Sequence, residues 1–263
     1  MKEPDFRASI IITSYNHRDY LREAIESVLA QTLPPHEILV ADDASTDGSQ
    51  DLIRAYEKRY PGIVRGIFQP HNVGIPRNRN SALHAVTGNY VGILDGDDVF
   101  LSHKLERQFE ALQRVPGARV VYSNFGIVDS GRRPMAVKWR GPQPQGDVFL
   151  EVARVKVGIL RTMIAEYDAV KQAGFMDERF PRYDGLWLTI KLAASCKFAY
   201  VDDVLLEKRE HQTSDSRSNT NEENLQDLTG IYRELAPLLD KRADERQRAE
   251  IDAAWNRWFS MFQ

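Results

Sequence analysis

Three carboxylates lie within four residues of the sequence, at Asp95, Asp97 and Asp98. Unpaired carboxylates at this spacing repel one another, and a hard divalent cation removes that repulsion. Oxygen ligands suit Mg²⁺ or Mn²⁺ better than zinc, which favours His and Cys. The stretch therefore predicts a site for Mn²⁺ or Mg²⁺, and the alternative is a solvated Asp/Gly turn that simply ends a strand.

The residues in front of the carboxylates predict the element that positions them. The apolar run at 90–94 is typical of a short strand that is buried on both faces. In an open α/β sheet, ligands bind outside the carboxyl ends of the strands, and Gly96 lets the backbone turn closely there. This placement at the rim of a crevice favours the metal site over the plain turn.

Strands alternate with amphipathic helices from residue 8 to residue 98, which predicts a parallel, doubly wound sheet. The predicted strands cover 9–14, 37–41, 63–68 and 90–94, and the predicted helices follow at 15–32, after Asp47, and at about 77–86. No GxGxxG or GxxxxGK[ST] motif is present in the sequence. A bound nucleotide would therefore need metal and arginines such as Arg77 and Arg79 to neutralise its phosphates.

Composition narrows the classes of partner. The net charge of −3 over 263 residues gives no support to nucleic-acid binding. The single cysteine, Cys196, forms no disulfide within the chain and suits a reducing compartment. No apolar run approaches the ~20 residues that a membrane-spanning helix needs. We therefore expect a soluble protein, or one held peripherally at a membrane.

Three motifs in order resemble the nucleotide-sugar-binding half of the family 2 glycosyltransferases, which are inverting enzymes of the GT-A fold. They are SIIITSYN, QTLPPHEILVADDASTDGS and NVGIPRNRNSALHAVTGNYVGILDGDD, which together span about residues 8–100. The resemblance implies a Rossmann-like, mostly parallel α/β sheet flanked by helices. It also implies a nucleotide-sugar donor, with UDP favoured by its frequency in the family.

The resemblance assigns roles at matching positions. It implies nucleotide binding by Thr13, Tyr15, Asp43, Arg79 and Asp95. It implies metal binding by Asp97, in the family's DxD motif, and by His211, in its Arg-x-His motif. For His211 an ordinary structural role is the alternative.

The segment from residue 158 to 211 resembles the acceptor half of the same family. Asp184 falls at the general base of that family, and Tyr183 replaces the acidic residue that usually precedes it. Because Asp184 also precedes a helical pattern, the plain alternative is a helix N-cap.

Two polar segments are predicted to be functional loops. The apolar residues of the segment 129–147 follow neither a helical nor a strand periodicity. This segment therefore predicts an acceptor-side flap or a disordered insertion. In this loop, Trp139 either stacks on a sugar or anchors the loop on the domain. Residues 212–224 predict a lid that orders over bound nucleotide.

The sequence divides into a GT-A domain over 1–220 and a helical extension over 221–263. The aromatic stripe of the extension predicts packing on the domain, on a second subunit or at a lipid interface, and the chain can be one module of a longer polypeptide.

We therefore predict that the chain is a metal-dependent inverting glycosyltransferase. We expect it to act on a saccharide or lipid-linked acceptor in polysaccharide or lipopolysaccharide synthesis. We expect it in the cytoplasm, including peripherally on the inner membrane face. The alternatives are a catalytically silent nucleotide-sugar-binding module and a sugar-phosphate nucleotidyltransferase. The second usually carries a glycine-rich loop after its first strand, which SYNHRDY lacks.

Overall fold

A computed structural model describes residues 6–155, 159–211 and 220–262 of the chain. The first half alternates strands and helices: β1 (Ala8–Ser14), α1 (Arg18–Leu29), β2 (Glu37–Asp42), α2 (Ser49–Arg59), β3 (Val64–Phe68), α3 (Ile75–Leu83) and β4 (Tyr90–Asp95). The second half comprises β5 (Val99–Phe100), α4 (Lys104–Arg114), β6 (Ala118–Val128), β7 (Pro134–Val137), α5 (Phe149–Ala153), a 3₁₀ turn (Leu160–Thr162), β8 (Ile164–Glu166), α6 (Tyr167–Gln172), α7 (Asp184–Ser195), β9 (Lys197–Arg209), α8 (Asn221–Arg242) and α9 (Glu245–Phe259).

The strands form one sheet in the order β3-β2-β1-β4-β8-β6-β9-β5, with β7 paired to β6. The first four strands are parallel, as the alternation of strands and helices predicts. Beyond β4 the sheet is mixed, because the short β8 lies antiparallel to both β4 and β6, and β5 lies antiparallel to β9. The strongly alternating pattern ends at residue 98, which is where the parallel half ends.

Helices cover both faces of the sheet. Ile10 and Ile12 of β1 face the side covered by α1, α2 and α4, whereas Ile11 faces the opposite side with the later helices. This alternation follows from the pleat, which points successive side chains to opposite faces of a strand. Buried on both faces, the central strands fix the positions of their carboxyl ends.

The structure corrects several predicted boundaries. The helix α3 begins at Ile75, two residues earlier than predicted, because Pro76 is well placed in a first helical turn. His103, not Ser102, is the N-cap residue of α4. The loop predicted over 129–147 contains the strand β7, which forms a hairpin with β6. Of the predicted lid, residues 212–219 lie outside the described residues, and the remainder begins α8 behind the N-cap Thr220.

Trp139 anchors its loop on the domain. Its backbone exchanges hydrogen bonds with the Asn124 side chain at 2.8 and 3.1 Å. Its ring lies about edge-on to those of Tyr122, Phe125 and Tyr200. The anchoring alternative for Trp139 therefore describes its contacts in this structure.

The helices α8 and α9 share the core of the domain. Both begin with a capping box, at Thr220 and at Asp244. Trp255 is fully buried, and its indole N–H donates to the carbonyl of Ala153 at 2.8 Å. Packing on the domain is thus the arrangement seen for the predicted extension. Within the described ranges, no helix combines the length and the apolar character needed to cross a bilayer.

Lys104 is a fully buried lysine. Its ammonium group donates to the carbonyl of Thr162 at 2.8 Å and to the side chain of Gln108, and it lies 4.7 Å from the centre of the Phe100 ring. Burial lowers the pKa of Lys104 well below its usual value. Since Thr162 ends the 3₁₀ turn, Lys104 ties that turn to α4.

We expect Lys104→Met to flatten the pH dependence of stability. The unfolded chain holds the lysine proton up to a pKa of about 10.4, whereas the folded chain releases it at lower pH. The free energy of unfolding of the wild type therefore rises with pH across this window, by up to about 1.4 kcal/mol per pH unit. Urea unfolding between neutral pH and the lysine pKa measures both slopes, with the exposed Lys58→Met as control. Equal slopes for wild type and Lys104→Met would contradict this account.

Candidate functional site

The carboxyl ends of β1, β2 and β4 open into a cleft of about 850 Å³. Seven of the predicted site residues line it: Thr13, Tyr15, Asp43, Arg79, Asp95, Asp97 and Asp184. The eighth, His211, is hydrogen-bonded to Asp97. The structure thus brings all the predicted site residues together, and their individual roles remain predictions.

Arg79 links the two sides of the cleft. This arginine of α3 donates from Nη1 to both carboxylate oxygens of Asp184 at 3.0 Å, and from Nη2 to Oδ1 of Asp95 at 2.8 Å. Burial opposes ionisation of Asp95, but the guanidinium groups of Arg79 and Arg161 outweigh it and lower the pKa to about 2. One buried guanidinium therefore holds two ionic partners, one at the end of β4 and one at the start of α7.

Asp184 is the first residue of α7 and is 4% exposed. The N-cap position belongs to Tyr183, so the capping alternative for Asp184 is wrong. Gly185 packs against Leu160, and a Cβ at Gly185 would lie 2.4 Å from the side chain of Leu160. This close approach presses the start of α7 against the 3₁₀ turn and fixes the position of the Asp184 carboxylate.

Asp98 has a structural role at the rim. It is paired with Arg161 of the 3₁₀ turn and accepts the backbone N–H of Arg209 at 2.9 Å. Burial, together with the nearby charges of Asp95 and Asp97, raises the pKa of Asp98 to about 7 despite the guanidinium of Arg161. Because Arg161 also reaches Oδ2 of Asp95 at 3.3 Å, it compensates two of the rim carboxylates.

Gly96 is required by a close approach between β4 and β1. Its N–H donates to the carbonyl of Thr13 at 2.8 Å, and a Cβ would lie only 2.7 Å from that same oxygen. The hydroxyl of Thr13 also donates to Oδ1 of Asp95 at 3.3 Å. The tight turn therefore leaves Asp95 beside β1 and sends Asp97 toward the end of β9.

Asp97 is the rim carboxylate best suited to a cation. Its Oδ2 lies 2.9 Å from Nε2 of His211, and within the described part of the chain no arginine side chain contacts this carboxylate. His17 also lines the cleft, and its buried Nδ1 atom makes no hydrogen bond to any residue that the structure describes. Oxygen and imidazole ligands suit Mn²⁺, and Mg²⁺ is usually held by one or two carboxylates together with substrate phosphates.

The protein ligands alone do not complete a coordination shell. Over residues 6–155, 159–211 and 220–262, no group of three or more His, Cys, Asp or Glu side chains is arranged to hold a metal ion. Asp97 and His211 would therefore hold a cation together with ligands from outside this group, such as a diphosphate and water.

Asp43 positions the loop that leads into α3. Its two carboxylate oxygens accept the backbone N–H groups of Val73 and Gly74 at 2.7 and 2.9 Å. Gly74 is the N-cap of α3 and has a φ of +87°, a conformation that favours glycine. Asp43 thus helps to orient the helix that carries Arg79. Tyr15, by contrast, is 43% exposed on the cleft wall, where its ring is accessible to a ligand.

Sequence reasoning missed three residues of the site and misplaced one. The missed residues are Arg161, which pairs with Asp98, Arg209, which donates to the carbonyl of Asp97, and His17, which lines the cleft. Only Arg209 had a signal, since it belongs to the Arg-x-His match. Arg77, expected to face phosphates, is exposed outside the cleft and pairs with Glu178 at 2.7 Å.

Solved structures show the class of protein that this fold defines. The chain is similar to S. aureus TarS residues 1–349 in complex with UDP-GlcNAc, with a TM-score of 0.74 and 19% identity over 97% of this chain and 73% of that one. It is also similar to the mannosyltransferase PcManGT of Pyrobaculum calidifontis in complex with GDP-Man and Mn²⁺, with a TM-score of 0.66 and 18% identity over 95% and 74% of the two chains. The fold is that of the GT-A glycosyltransferases.

The chain belongs to glycosyl transferase family 2, whose model matches residues 9–159. Among curated relatives, it is 37% identical over 143 residues to an uncharacterized glycosyltransferase of a Nostoc species, covering 54% of this chain and 44% of the relative. It is 41% identical over 102 residues to TuaG of Bacillus subtilis, a putative teichuronic acid biosynthesis glycosyltransferase, covering 39% and 40%. The matches thus span less than half the length of these relatives.

We expect Arg79→Met to destabilise the protein by about 3–5 kcal/mol, because it leaves the carboxylates of Asp95 and Asp184 without their shared buried partner. Arg77→Met is the matched control, since its ion pair with Glu178 is exposed and contributes at most about 1 kcal/mol. Urea unfolding of both variants measures the difference. A similar loss of unfolding free energy in the two variants would show that the buried ion pairs of Arg79 stabilise the protein no more than an exposed pair does.

Proposed function

We propose that this chain is a metal-dependent inverting glycosyltransferase that transfers a sugar from a nucleoside diphosphate sugar, with UDP as the nucleotide, to a hydroxyl of a saccharide or lipid-linked saccharide. The observation that carries the proposal is the contact of Arg79 with both Asp95 and Asp184. The guanidinium of Arg79 thus holds both Asp95, a carboxylate of the proposed donor side, and Asp184, the candidate base. The same cleft also contains Asp97, which is hydrogen-bonded to His211.

Asp184 takes the acceptor proton in this proposal. A carboxylate oxygen of Asp184 accepts the proton of the attacking hydroxyl while the bond between the anomeric carbon and the diphosphate oxygen breaks. Arg79 orients Asp184 through both oxygens, and Oδ1 also accepts the backbone N–H of Gly185 at 2.7 Å. Oδ2 therefore keeps a further lone pair for the acceptor. A single displacement on the face opposite the diphosphate inverts the anomeric centre and needs no covalent nucleophile.

Asp97 and His211 would hold the cation, which supplies positive charge to the diphosphate when it is bound. Tyr15 offers an exposed ring to the base, and Arg161 offers a guanidinium at the rim. The complexes of TarS with UDP-GlcNAc and of PcManGT with GDP-Man and Mn²⁺ support a nucleotide-sugar donor and a divalent cation for this fold. The description of TuaG, a putative teichuronic acid biosynthesis glycosyltransferase, is consistent with a saccharide acceptor.

The position of Tyr183 bears on the alternative of a silent binding module. Its ring packs edge-on against Trp258 of α9, with 5.4 Å between the ring centres. The replacement of the usual acidic residue is therefore explained by packing against the C-terminal helix, and the carboxylate of Asp184 remains in the cleft. Family membership favours glycosyl transfer over nucleotidyl transfer.

We expect Asp97→Ala to weaken UDP binding at least about 10-fold in the presence of Mn²⁺, because the cation loses its carboxylate ligand. With a chelator present, the variant and the wild type should bind UDP with similar affinity. Calorimetric titrations under both conditions measure this. Metal-independent binding by the wild type, or an undiminished Mn²⁺ effect in Asp97→Ala, would contradict the metal assignment.

We expect Asp184→Asn to lower sugar transfer and donor hydrolysis by about 10²–10⁴-fold, the usual contribution of a general base, with nucleotide affinity retained. The exposed Asp168→Asn is the control. Release of nucleoside diphosphate from UDP-sugars, followed by a coupled assay, measures turnover. Full activity in Asp184→Asn would exclude it as the base, and a wild type that binds nucleotide without turnover would support the silent module.

A further inference from the structure

The cleft continues past Asp184 into a wall built by later parts of the chain. Arg182 precedes α7, Asn224 lies in the first turn of α8, and Phe262 follows α9, and all three line the cleft. They lie beyond residues 9–159, where the family model matches. The wall is therefore built by the loop before α7 together with the C-terminal helices.

Asn224 has an unused hydrogen-bonding group. It is 9% exposed, and its side-chain amide makes no hydrogen bond to any described residue. Because Asn224 lines the cleft, a ligand bound there can reach its amide. The amide offers two donors and one acceptor oxygen to a ligand.

The rest of the wall is fixed in place. The backbone N–H of Arg182 donates to Asp227 at 2.9 Å, and its guanidinium pairs with Glu223 at 2.5 Å, so the loop is tied to α8. These two carboxylates neutralise Arg182. Its Nε atom is buried and has no hydrogen-bond partner among the described residues. Phe262 is half-buried beside these polar groups, and its N–H donates to the carbonyl of Phe259 at 3.1 Å.

We propose that Asn224, Arg182 and Phe262 form the subsite that binds the sugar ring of the acceptor. The proposal rests on the glycosyl transfer proposed above. A hexopyranoside presents an apolar C–H face, which suits the ring of Phe262, and hydroxyl groups, which suit the amide of Asn224 and Nε of Arg182. Because Arg182 is neutralised by its own carboxylate partners, the wall fits a neutral saccharide better than an anionic one.

The test measures binding of simple glycosides to the full chain in the presence of UDP and Mg²⁺. The probes are the methyl glycosides of glucose, galactose, mannose and N-acetylglucosamine, titrated by saturation-transfer NMR, with calorimetry of UDP run in parallel. We expect Asn224→Ala and Phe262→Ala each to weaken glycoside binding about 5- to 10-fold, the effect of losing one hydrogen bond or one aromatic contact, and to leave UDP affinity unchanged.

The controls are matched by residue type and position. Asn221→Ala removes an exposed asparagine of the same helix, and Met261→Ala removes an exposed apolar side chain next to Phe262, so both should bind glycosides like the wild type. Retained UDP affinity shows that each variant is folded, and the two variants lie on different elements.

The outcomes separate this inference from the proposed function. Equal glycoside affinity in wild type, Asn224→Ala and Phe262→Ala would overturn the subsite. So would a wild type that binds UDP but none of the four glycosides, and in both cases the proposed donor chemistry would stand. A wild type that binds no nucleotide would instead overturn the proposed function itself.

Discussion

The charge balance at the carboxyl ends of the strands is the constraint on which the rest of this structure depends. Asp98 and Asp184 are almost fully buried and Asp95 is partly buried, and arginine side chains pair with all three carboxylates. A buried carboxylate without a partner is costly, so the guanidinium groups of Arg79 and Arg161 are structural requirements of the fold as well as features of the cleft. The carboxylate of Asp97 differs from these three, because its partner is an imidazole that can also ligate a cation.

Each guanidinium must be brought to the rim by an element that is itself anchored. Asp43 fixes the loop in front of α3 and thereby the direction from which Arg79 enters. Lys104 and Gln108 both bind the carbonyl of Thr162, which ends the turn that carries Arg161. These supports are buried polar groups with defined partners, and such groups specify one geometry because any other geometry leaves them unsatisfied. The buried contacts of Asp43, Lys104 and Gln108 therefore hold the two guanidinium groups in position.

The sequence predicts the donor half of the fold well and the compensation of its charges poorly. The strands of the parallel half and the turn at Asp95 follow from local hydrophobic patterns, which is why their existence and order could be predicted. The three rim carboxylates were expected to need a cation to relieve their repulsion. The structure relieves much of it with Arg161, which is more than 60 residues away in the chain and belongs to no motif. Its role depends on the antiparallel insertion of β8, and no local pattern encodes that pairing. The strand β7 was missed for a related reason: all of its residues are exposed, so it shows no hydrophobic alternation.

The two halves of the cleft come from different parts of the chain, and Arg79 is where they meet. The strand ends that carry Thr13, Asp43 and Asp95 lie within the segment matched by the family model, whereas Asp184 and the wall of Asn224 and Phe262 lie beyond it. Because α8 and α9 share a core with α7, the packing of Tyr183 on Trp258 connects the C-terminal helices directly to the residue next to Asp184. A change in the C-terminal helices can therefore reshape the wall of Asn224 and Phe262 while the parallel strands, which are buried on both faces, keep Thr13, Asp43 and Asp95 in place.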